Sequence, residues 1–544
     1  MPRRLPLTGV LRLGRPSDIW FKPALSVVAA VAPPNLTLLA LDRLDLAMYT
    51  MAGSLCALYA HNRPYAARAR ALAWVVLGML GGVAAALVTA ALTDRAAVLV
   101  TVGALLASAQ KTLCDATRIG PPGNVVLTFI SSASLFAPQT LAQVPGHLAP
   151  AAAAGVWAWL VGMAPGLVRP HGPERRATAQ ALNAAAAYVE AGGTQPRAAA
   201  YAAVQAAWQT LLSTGTRSQA RRALERLVVR AEIALAAPAD TDPARLRDWA
   251  RALRGTGRVP RTGHEPRAVA DELLGVDAEA GTPGQPLRLR LRPLTPLAVR
   301  TALGCALAGY ASLALGIGRP YWALVTAASL YQANITLTWS RGVQRIVGNI
   351  AGVLLFAAVA PLAHLGPAAL VLCCLAFNFG AEALISRNYW LGSVCVTPMA
   401  LLVTEFTGQQ ETGRLITERV MDTLVGALVG FAVAVAVTNR RAGDRVEQAL
   451  TAVDRAREDA ARLLAQPDPE PGALESARRG LAAALVDLRA VADAAAGEWW
   501  QRALPQERVV LAEQSGHRTL AATVRRQGPL GDRRTGTETE DVRP

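Results

Sequence analysis

The sequence predicts an all-α polytopic membrane protein: two parallel six-helix transmembrane repeats plus cytoplasmic helical regions. Three observations carry this. Apolar residues collect in runs of about 18–22 with almost no charge inside, enough to cross ~30 Å of hydrocarbon as helices. Basic residues gather at alternate ends of those runs, as a topology signal does. Glycine pairs recur at equivalent runs in the two halves of the chain.

The chain has 544 residues, of which 52% are hydrophobic. A soluble chain of that length would split into several domains, but a soluble core gives no reason to repeat one span length so often. In the first bundle, residues 1–168, spans are expected near 23–41, 44–60, 71–92, 96–114, 124–143 and 149–168. Pro33 and Pro34, followed by Asn35 and Thr37, predict a break or kink in the first, because proline removes a helical hydrogen bond. In the second bundle, residues 297–438, spans are expected near 297–316, 320–339, 345–362, 367–385, 389–405 and 418–438. The basic start, Met1 to Arg15, has no compact apolar stretch before a cleavage site, so the first span serves as the insertion signal.

The net charge is +16; of 55 basic residues only Lys22 and Lys111 are lysines, leaving 53 arginines. With the Ala and Gly excess, that bias is what a GC-rich coding sequence yields. Clusters at the ends of apolar runs argue for topology rather than nucleic-acid binding. Arg3, Arg4, Arg12, Arg15 and Lys22 precede the first span; Arg63, Arg68 and Arg70 follow the second. Arg341 and Arg345, then Arg387, then Arg440, Arg441 and Arg445 mark the same side in the second half. The opposite loops hold Asp42, Arg43 and Asp45, then Asp94 and Arg95, then His147, then His364. Both termini are therefore expected in the cytoplasm of an inner or plasma membrane, with Arg319 as the exception on the outer side.

Residues 169–296 read as a cytoplasmic helical domain and linker. Between Ala220 and Leu235, Leu224, Leu227, Val228 and Ala231 share a face while Arg221, Arg222, Glu225 and Arg226 lie off it, the pattern of a helix packed in a domain or laid on a membrane surface. Gly281–Pro286 and Pro293–Pro296 read as linker. Residues 439–524 form a second helical region, passing Glu498, Trp499 and Trp500, and 525–544 a polar tail expected to be disordered.

Gly78 and Gly82 match Gly348 and Gly352 at an offset of 270, and Gly162 and Gly166 match Gly426 and Gly430 at 264, as Asn124 matches Asn388. Each pair is a GxxxG that lets helices approach closely. Both halves start inside with an even number of spans, which makes the repeat parallel, about an axis along the membrane normal.

Several polar residues interrupt the apolar runs. Gln332 and Asn334 lie in an expected span and face the bundle interior, as pathway lining or as interhelical hydrogen-bond partners. Asn378 and Glu382 share a helix face; Glu382 is either a proton relay or the partner of Arg387 or Arg345. Asp422 is the second proton-coupling candidate, with the same alternative. Thr397-Pro398 either opens a helix turn and exposes carbonyls or simply kinks it. Trp322 and Trp390 are interface anchors or platforms for an aromatic substrate. Arg68, Arg70, Arg341, Arg345 and Arg387 form a basic cytoplasmic mouth that concentrates anions, or fix topology and meet lipid phosphates. Enzyme signatures are missing: Lys111-Thr112 follows Gln110 rather than glycine, and no GxSxG is present. The six histidines are scattered and the six cysteines lie in apolar runs without CxxC, so no metal, cofactor or catalytic residue is expected.

Gly318-Arg319-Pro320-Tyr321-Trp322-Ala323, with Thr326, Gln332, Asn334, Arg341, Arg345, Gly348 and Gly352, then Asn388-Tyr389-Trp390, Thr397-Pro398, and Arg419, Asp422, Thr423 and Gly426, resembles the fusaric acid resistance family (FUSC; aromatic acid exporter-like) over about 297–438. The first half matches through Arg68, Arg70, Gly78 and Gly82 only. The resemblance implies export of aromatic or other organic acids without ATP hydrolysis. The expected function is thus a secondary transporter, with a passive organic-anion channel and a membrane scaffold that recruits a cytoplasmic partner as alternatives. Expected partners are membrane lipid and a small organic anion substrate, with a homo-oligomer left open and no nucleic acid.

Overall fold

The computed structural model describes residues 7–14, 19–213, 218–255, 257–260, 287–291, 294–406, 410–437, 442–467, 469–498 and 505–536. The regular elements among them are all helical. The first bundle comprises α1 (Phe21–Ala40), α2 (Ala47–Ser54), α3 (Tyr65–Leu92), α4 (Ala96–Thr117), α5 (Val125–Leu135) and α6 (Val144–Met163). The short α7 (Pro165–Val168) leads to polar helices α8 (Gly172–Ala191), α9 (Thr194–Leu212), α10 (Gln219–Ala236) and α11 (Pro243–Arg254). After α12 (Leu287–Leu291) the second bundle follows as α13 (Thr295–Ala314), α14 (Pro320–Leu330), α15 (Ile335–Ala363), α16 (Pro367–Ile385), α17 (Tyr389–Glu405) and α18 (Thr412–Ala436). The chain continues through α19 (Ala442–Ala465), α20 (Pro471–Ala496) and α21 (Gln506–Gly536).

Among the described residues, eight stretches are long and apolar enough to cross a membrane: α1, α3, α4, Leu141–Val168, α13, α15, α16 and α18. The expectation of twelve full spans is corrected at 44–60, 124–143 and 320–339, whereas 389–405 holds a helix with the expected bounds, Tyr389–Glu405. The helices α5 and α14 have 11 residues each, a rise of ~16 Å, about half the hydrocarbon thickness. α2 has 8 residues between 3-10 turns at Leu44–Leu46 and Leu55–Leu58, and α17 has 17 with Pro398 inside. Breaks after Leu135 and Leu330 fall inside apolar sequence, where hydropathy does not register a change of backbone path. These four are the second and fifth helices of each half. All 11 residues of α14 are buried; irregular backbone is tolerated at membrane depth where protein surrounds it.

The same pairs of helices pack in both halves. The second packs on the sixth, and the third on the fifth and sixth. Between halves, α1 packs on α16 as α4 packs on α13, and α5 meets α14 as α2 meets α17. The glycines of the second half are contact notches. A Cβ on Gly348 would meet Trp390 O at 2.6 Å, one on Gly352 would meet Thr397 Cβ at 2.7 Å, and one on Gly426 would overlap Ala323 O. The first half differs: Gly78 faces open space and Gly82 meets only the side chains of Ser131 and Gln110.

α1 runs unbroken through Pro33 and Pro34. Pro33 lacks the N–H that would bond Ala29 O, and Trp157 Nε1 from α6 donates to that carbonyl at 3.0 Å instead. Thr37 Oγ1 donates to Pro33 O at 2.9 Å.

The polar helices α8–α11 and α19–α21 pack side by side. Arg478 Nη2 meets Glu232 Oε2 at 2.7 Å, the Arg479 guanidinium lies 5.3 Å from the Trp208 ring centre, and Tyr201 and His517 lie 4.5 Å apart. α10 buries Leu224, Leu227, Val228 and Ala231 as expected. Arg221 and Glu225, expected off that face, are also buried, 3.3 Å apart. Two polar layers enclose the helix, so its charged flank pairs internally instead of meeting water. Residues 281–286, Pro293, Trp499 and Trp500 lie outside the described residues. α21 continues to Gly536, into the stretch expected as tail.

Candidate functional site

In the second bundle α18 lies against α14 at the Gly426 and Gly430 notches. That contact holds Arg419, Asp422 and Thr423, spaced i, i+3, i+4, on one buried face. Arg419 is 1% exposed and Asp422 0%. The Arg419 guanidinium carbon sits 5.0 Å from the centre of the Trp322 ring, and that of Arg319 sits 5.2 Å from the same ring. Arg319 Nε also pairs with Glu418 Oε2 at 3.2 Å, while Arg414 Nε holds Oε1 at 2.8 Å. The exceptional Arg319 is therefore an internally paired residue, and it contributes little to the loop charge asymmetry.

A hydrogen-bonded chain crosses the bundle below it. Ser312 Oγ donates to Asp422 Oδ1 at 2.6 Å. Thr397 Oγ1 donates to Asn349 Oδ1 at 2.6 Å, Asn349 Nδ2 to Thr423 Oγ1 at 2.8 Å, and Thr423 Oγ1 to Arg419 O at 2.7 Å. Toward the end nearest the polar helices, Arg345 Nη1 donates to the Tyr389 hydroxyl at 2.9 Å, and Arg341 stacks 3.8 Å over the Tyr389 ring. Arg345 lies ten residues into α15 and Arg419 seven into α18, which runs the other way. At 1.5 Å per residue they reach about 15 Å and 10 Å inward from opposite ends.

Nε and Nη1 of Arg419, Nε of Arg345, Oδ2 of Asp422 and Nε1 of Trp322 are buried without hydrogen-bond partners. Desolvated charges left unsatisfied are costly. An anion between these arginines would meet that need, and a guanidinium is shaped to take a carboxylate through two N–H donors.

Of the residues the sequence singles out, Trp322, Thr397, Asp422, Arg341 and Arg345 come together here. Trp322 is wholly buried, which corrects its reading as an interface anchor. Trp390 donates from Nε1 to Leu11 O at 3.2 Å, in an N-terminal stretch laid across the α16–α17 turn. Gln332 and Asn334 are corrected as well: they lie in the break between α14 and α15, outside any span. Asn334 caps α15, accepting from Leu337 N at 2.8 Å, and Gly497 O covers the break by accepting from Thr336 Oγ1 at 2.9 Å. Their polarity ends one helix and starts the next. Asn378 Nδ2 donates to its own helix at Cys374 O, 2.9 Å away. Glu382 is half-buried and, among the described residues, makes no ion pair with Arg387 or Arg345. Arg387 and Arg70 are exposed, and Arg68 is buried in the first bundle. The expected single mouth is thus divided between the halves.

The sequence assigns no role to Arg419, Tyr389, Asn349 or Ser312. The spacing of Arg419 to Asp422 and of Arg345 to Asn349 was the available signal. The first bundle holds a neutral counterpart, where Gln110 Nε2 donates to Ser131 Oγ at 2.9 Å and Thr128 Oγ1 to Gln110 Oε1 at 3.0 Å. At the glycine offsets of 270 and 264, Val75, Gly155 and Ala158 stand where Arg345, Arg419 and Asp422 stand in the second half.

Residues 306–433, which include the whole of this network, match a family described as fusaric acid resistance protein-like. Over 434 residues the chain is 27% identical to the uncharacterized membrane protein YvaC of Bacillus subtilis (strain 168), covering 71% of this chain and 68% of that protein. No solved structure matches.

Proposed function

We propose that this membrane protein, whose residues 306–433 match the fusaric acid resistance protein-like family, is a secondary transporter that exports aromatic or other organic acids across the inner or plasma membrane. The observation that supports this is Arg419, buried inside the second bundle with two guanidinium nitrogens unpartnered beside the Trp322 ring. A carboxylate attached to a flat apolar body fits both groups. Arg341 and Arg345 draw the anion in from one end and Arg319 receives it at the other. An inside-negative membrane potential favours exit by ~2.3 kcal/mol per charge per 100 mV. Asp422, one turn from Arg419, competes with the anion for the guanidinium, and its protonation frees the site.

The basic ends Arg63, Arg68, Arg70, Arg341, Arg345 and Arg387 support a cytoplasmic position for both termini and for the polar helices. The recurrence of the same helix pairs in both halves supports two parallel repeats, with the charged site kept in only one. In proteoliposomes, weak aromatic acids should flow faster with wild-type protein than with Arg419→Gln. Absence of flux under both a pH gradient and a membrane potential would remove the proposal. The buried arginines at both ends also fit a passive anion channel, and single-channel currents far above carrier turnover would decide for it.

A further inference from the structure

A second basic cluster lies where the first bundle meets the polar helices, and the path in the second bundle does not use it. Arg68, near the start of α3, is 4% exposed, and its Nη2 donates to His61 Nδ1 at 3.1 Å. Its Nε is buried without a hydrogen-bond partner, and no carboxylate pairs with it among the described residues. Burial, and then the Arg68 charge, push the His61 imidazole down to about 3, so it is neutral near pH 7. Accepting at Nδ1 places its proton on Nε2, which is likewise buried and unpartnered.

Further cations converge on this point. Lys22 at the start of α1 lies within the field of Arg169 and Arg176, and His61 within that of Lys22 and Arg176. Arg176 in α8 donates to Asn62 Oδ1 at 3.3 Å. The nearby acid Glu174 reaches His171 at 3.8 Å through Oε1 and lies in the field of Arg221, while its Oε2 is buried without a hydrogen-bond partner. The elements α1, α3, α7 and α8 thus bring Lys22, Arg169 and Arg176 close to a buried arginine that has no carboxylate partner among the described residues, and like charges repel unless an anion lies among them.

The rim identifies the source of that anion. Trp20 and Phe21 are 39% and 41% exposed beside Lys22, and Leu167 and Val168 are 90% and 79% exposed beside Arg169. Exposed aromatic and aliphatic side chains flanking basic residues mark the bilayer boundary, and basic pockets between helices at that depth hold anionic headgroups. We infer that Lys22, Arg68, Arg169 and Arg176 form a binding site for a phosphate group, supplied by an anionic lipid headgroup. The lipid ties the first polar helix, α8, to α1 and α3.

The test uses the full chain, delipidated in detergent, with phosphatidylglycerol, phosphatidylcholine or inorganic phosphate added back. Native mass spectrometry and thermal melting are the readouts. Phosphatidylglycerol should remain bound and raise the melting temperature, and phosphatidylcholine should do neither. Because Arg68→Gln can cost the fold, the deciding variant is K22Q/R169Q/R176Q, at partly or fully exposed positions; it should weaken phosphatidylglycerol binding about tenfold or more. Stabilisation by inorganic phosphate alone would overturn the lipid as source. Equal binding by the variant and wild type, or no binding of either probe, would overturn the site. Binding is read without transport, so the result leaves the transport proposal to its own test.

Discussion

The guanidinium of Arg419 lies 5.0 Å from the centre of the Trp322 ring, and both side chains are sealed inside the second bundle. A charge held against an aromatic face with two open N–H donors binds best a ligand that brings its own negative charge. Hydrogen bonds to charged groups contribute about 1.5–3 kcal/mol each. Arg419→Gln should therefore weaken substrate binding about 10- to 100-fold, and Arg419→Lys less, because the charge stays while the fork is lost. Trp322→Phe should retain more transport than Trp322→Ala. Flux in proteoliposomes, with size-exclusion profiles as the folding control, checks the order; equal flux in all four variants would refute the site.

Asp422 reaches Ser312 through one oxygen and leaves the other unpartnered. If protonation of this carboxyl releases Arg419 to the substrate, Asp422→Asn mimics the released state permanently. Its flux should lose pH dependence while still responding to membrane potential. A pH profile unchanged from wild type would assign proton coupling elsewhere, with Glu382 next in line.

Gly426→Ala and Gly352→Ala test whether the notches set helix approach. Each new methyl would strike a neighbouring helix at Ala323 O or Thr397 Cβ, and overpacking of this kind costs about 1–3 kcal/mol. Gly78→Ala, which meets nothing within 4 Å, should leave stability unchanged or slightly raised. Thermal melting in detergent separates the two outcomes, and destabilisation by Gly78→Ala equal to that of Gly426→Ala would contradict the contact geometry.

Span length and glycine spacing were legible in the sequence because the bilayer imposes them on composition directly. The half-length helices were not. Tyr331 to Asn334 leave the helix within an apolar context, so a hydropathy window reads across the break, and the cap formed by Asn334 looks like a polar residue inside a span. Partnership was equally hidden. Arg319 reads as a loop charge until Glu418, 99 residues later in the sequence, is brought to 3.2 Å. Arg221 and Glu225 read as solvated until a second helical layer covers them. Arg345 and Asp422 could be singled out because charge inside a membrane is expensive wherever it occurs. Arg419 needed the fold to show that nothing nearby saturates it.

The carbonyl of Gly497, at the end of α20, accepts from Thr336 N at 3.2 Å and from Thr336 Oγ1 at 2.9 Å. This is a direct joint between the polar layer and the start of α15, the helix that carries Arg341 and Arg345. A Cβ on Gly497 would overlap the Asn334 side chain and displace it as the α15 cap, a loss of about 1 kcal/mol. Gly497→Ala should increase hydrogen exchange at the first turn of α15 with little change in α13. Unchanged exchange there would show that the joint does not hold α15.

His517 on α21 stacks on Tyr201 of α9 at 4.5 Å. Burial, and then the Arg197 charge, push its imidazole down to about 4. An unfolded imidazole titrates near 6.5, so between pH 6.5 and about 4 the unfolded chain binds more protons than the folded one. The contribution to stability is complete above 6.5 and disappears as pH falls through that window, by as much as about 3 kcal/mol. Burial raises Glu475 and Glu498 instead, and those carboxyls favour the folded state on acidification, so the useful quantity is the difference between wild type and His517→Phe. Hydrogen exchange in α9 and α21 should rise between pH 7 and pH 4.5 in wild type and rise less in the variant. An identical rise in both would mean that His517 is not the group that loosens this joint.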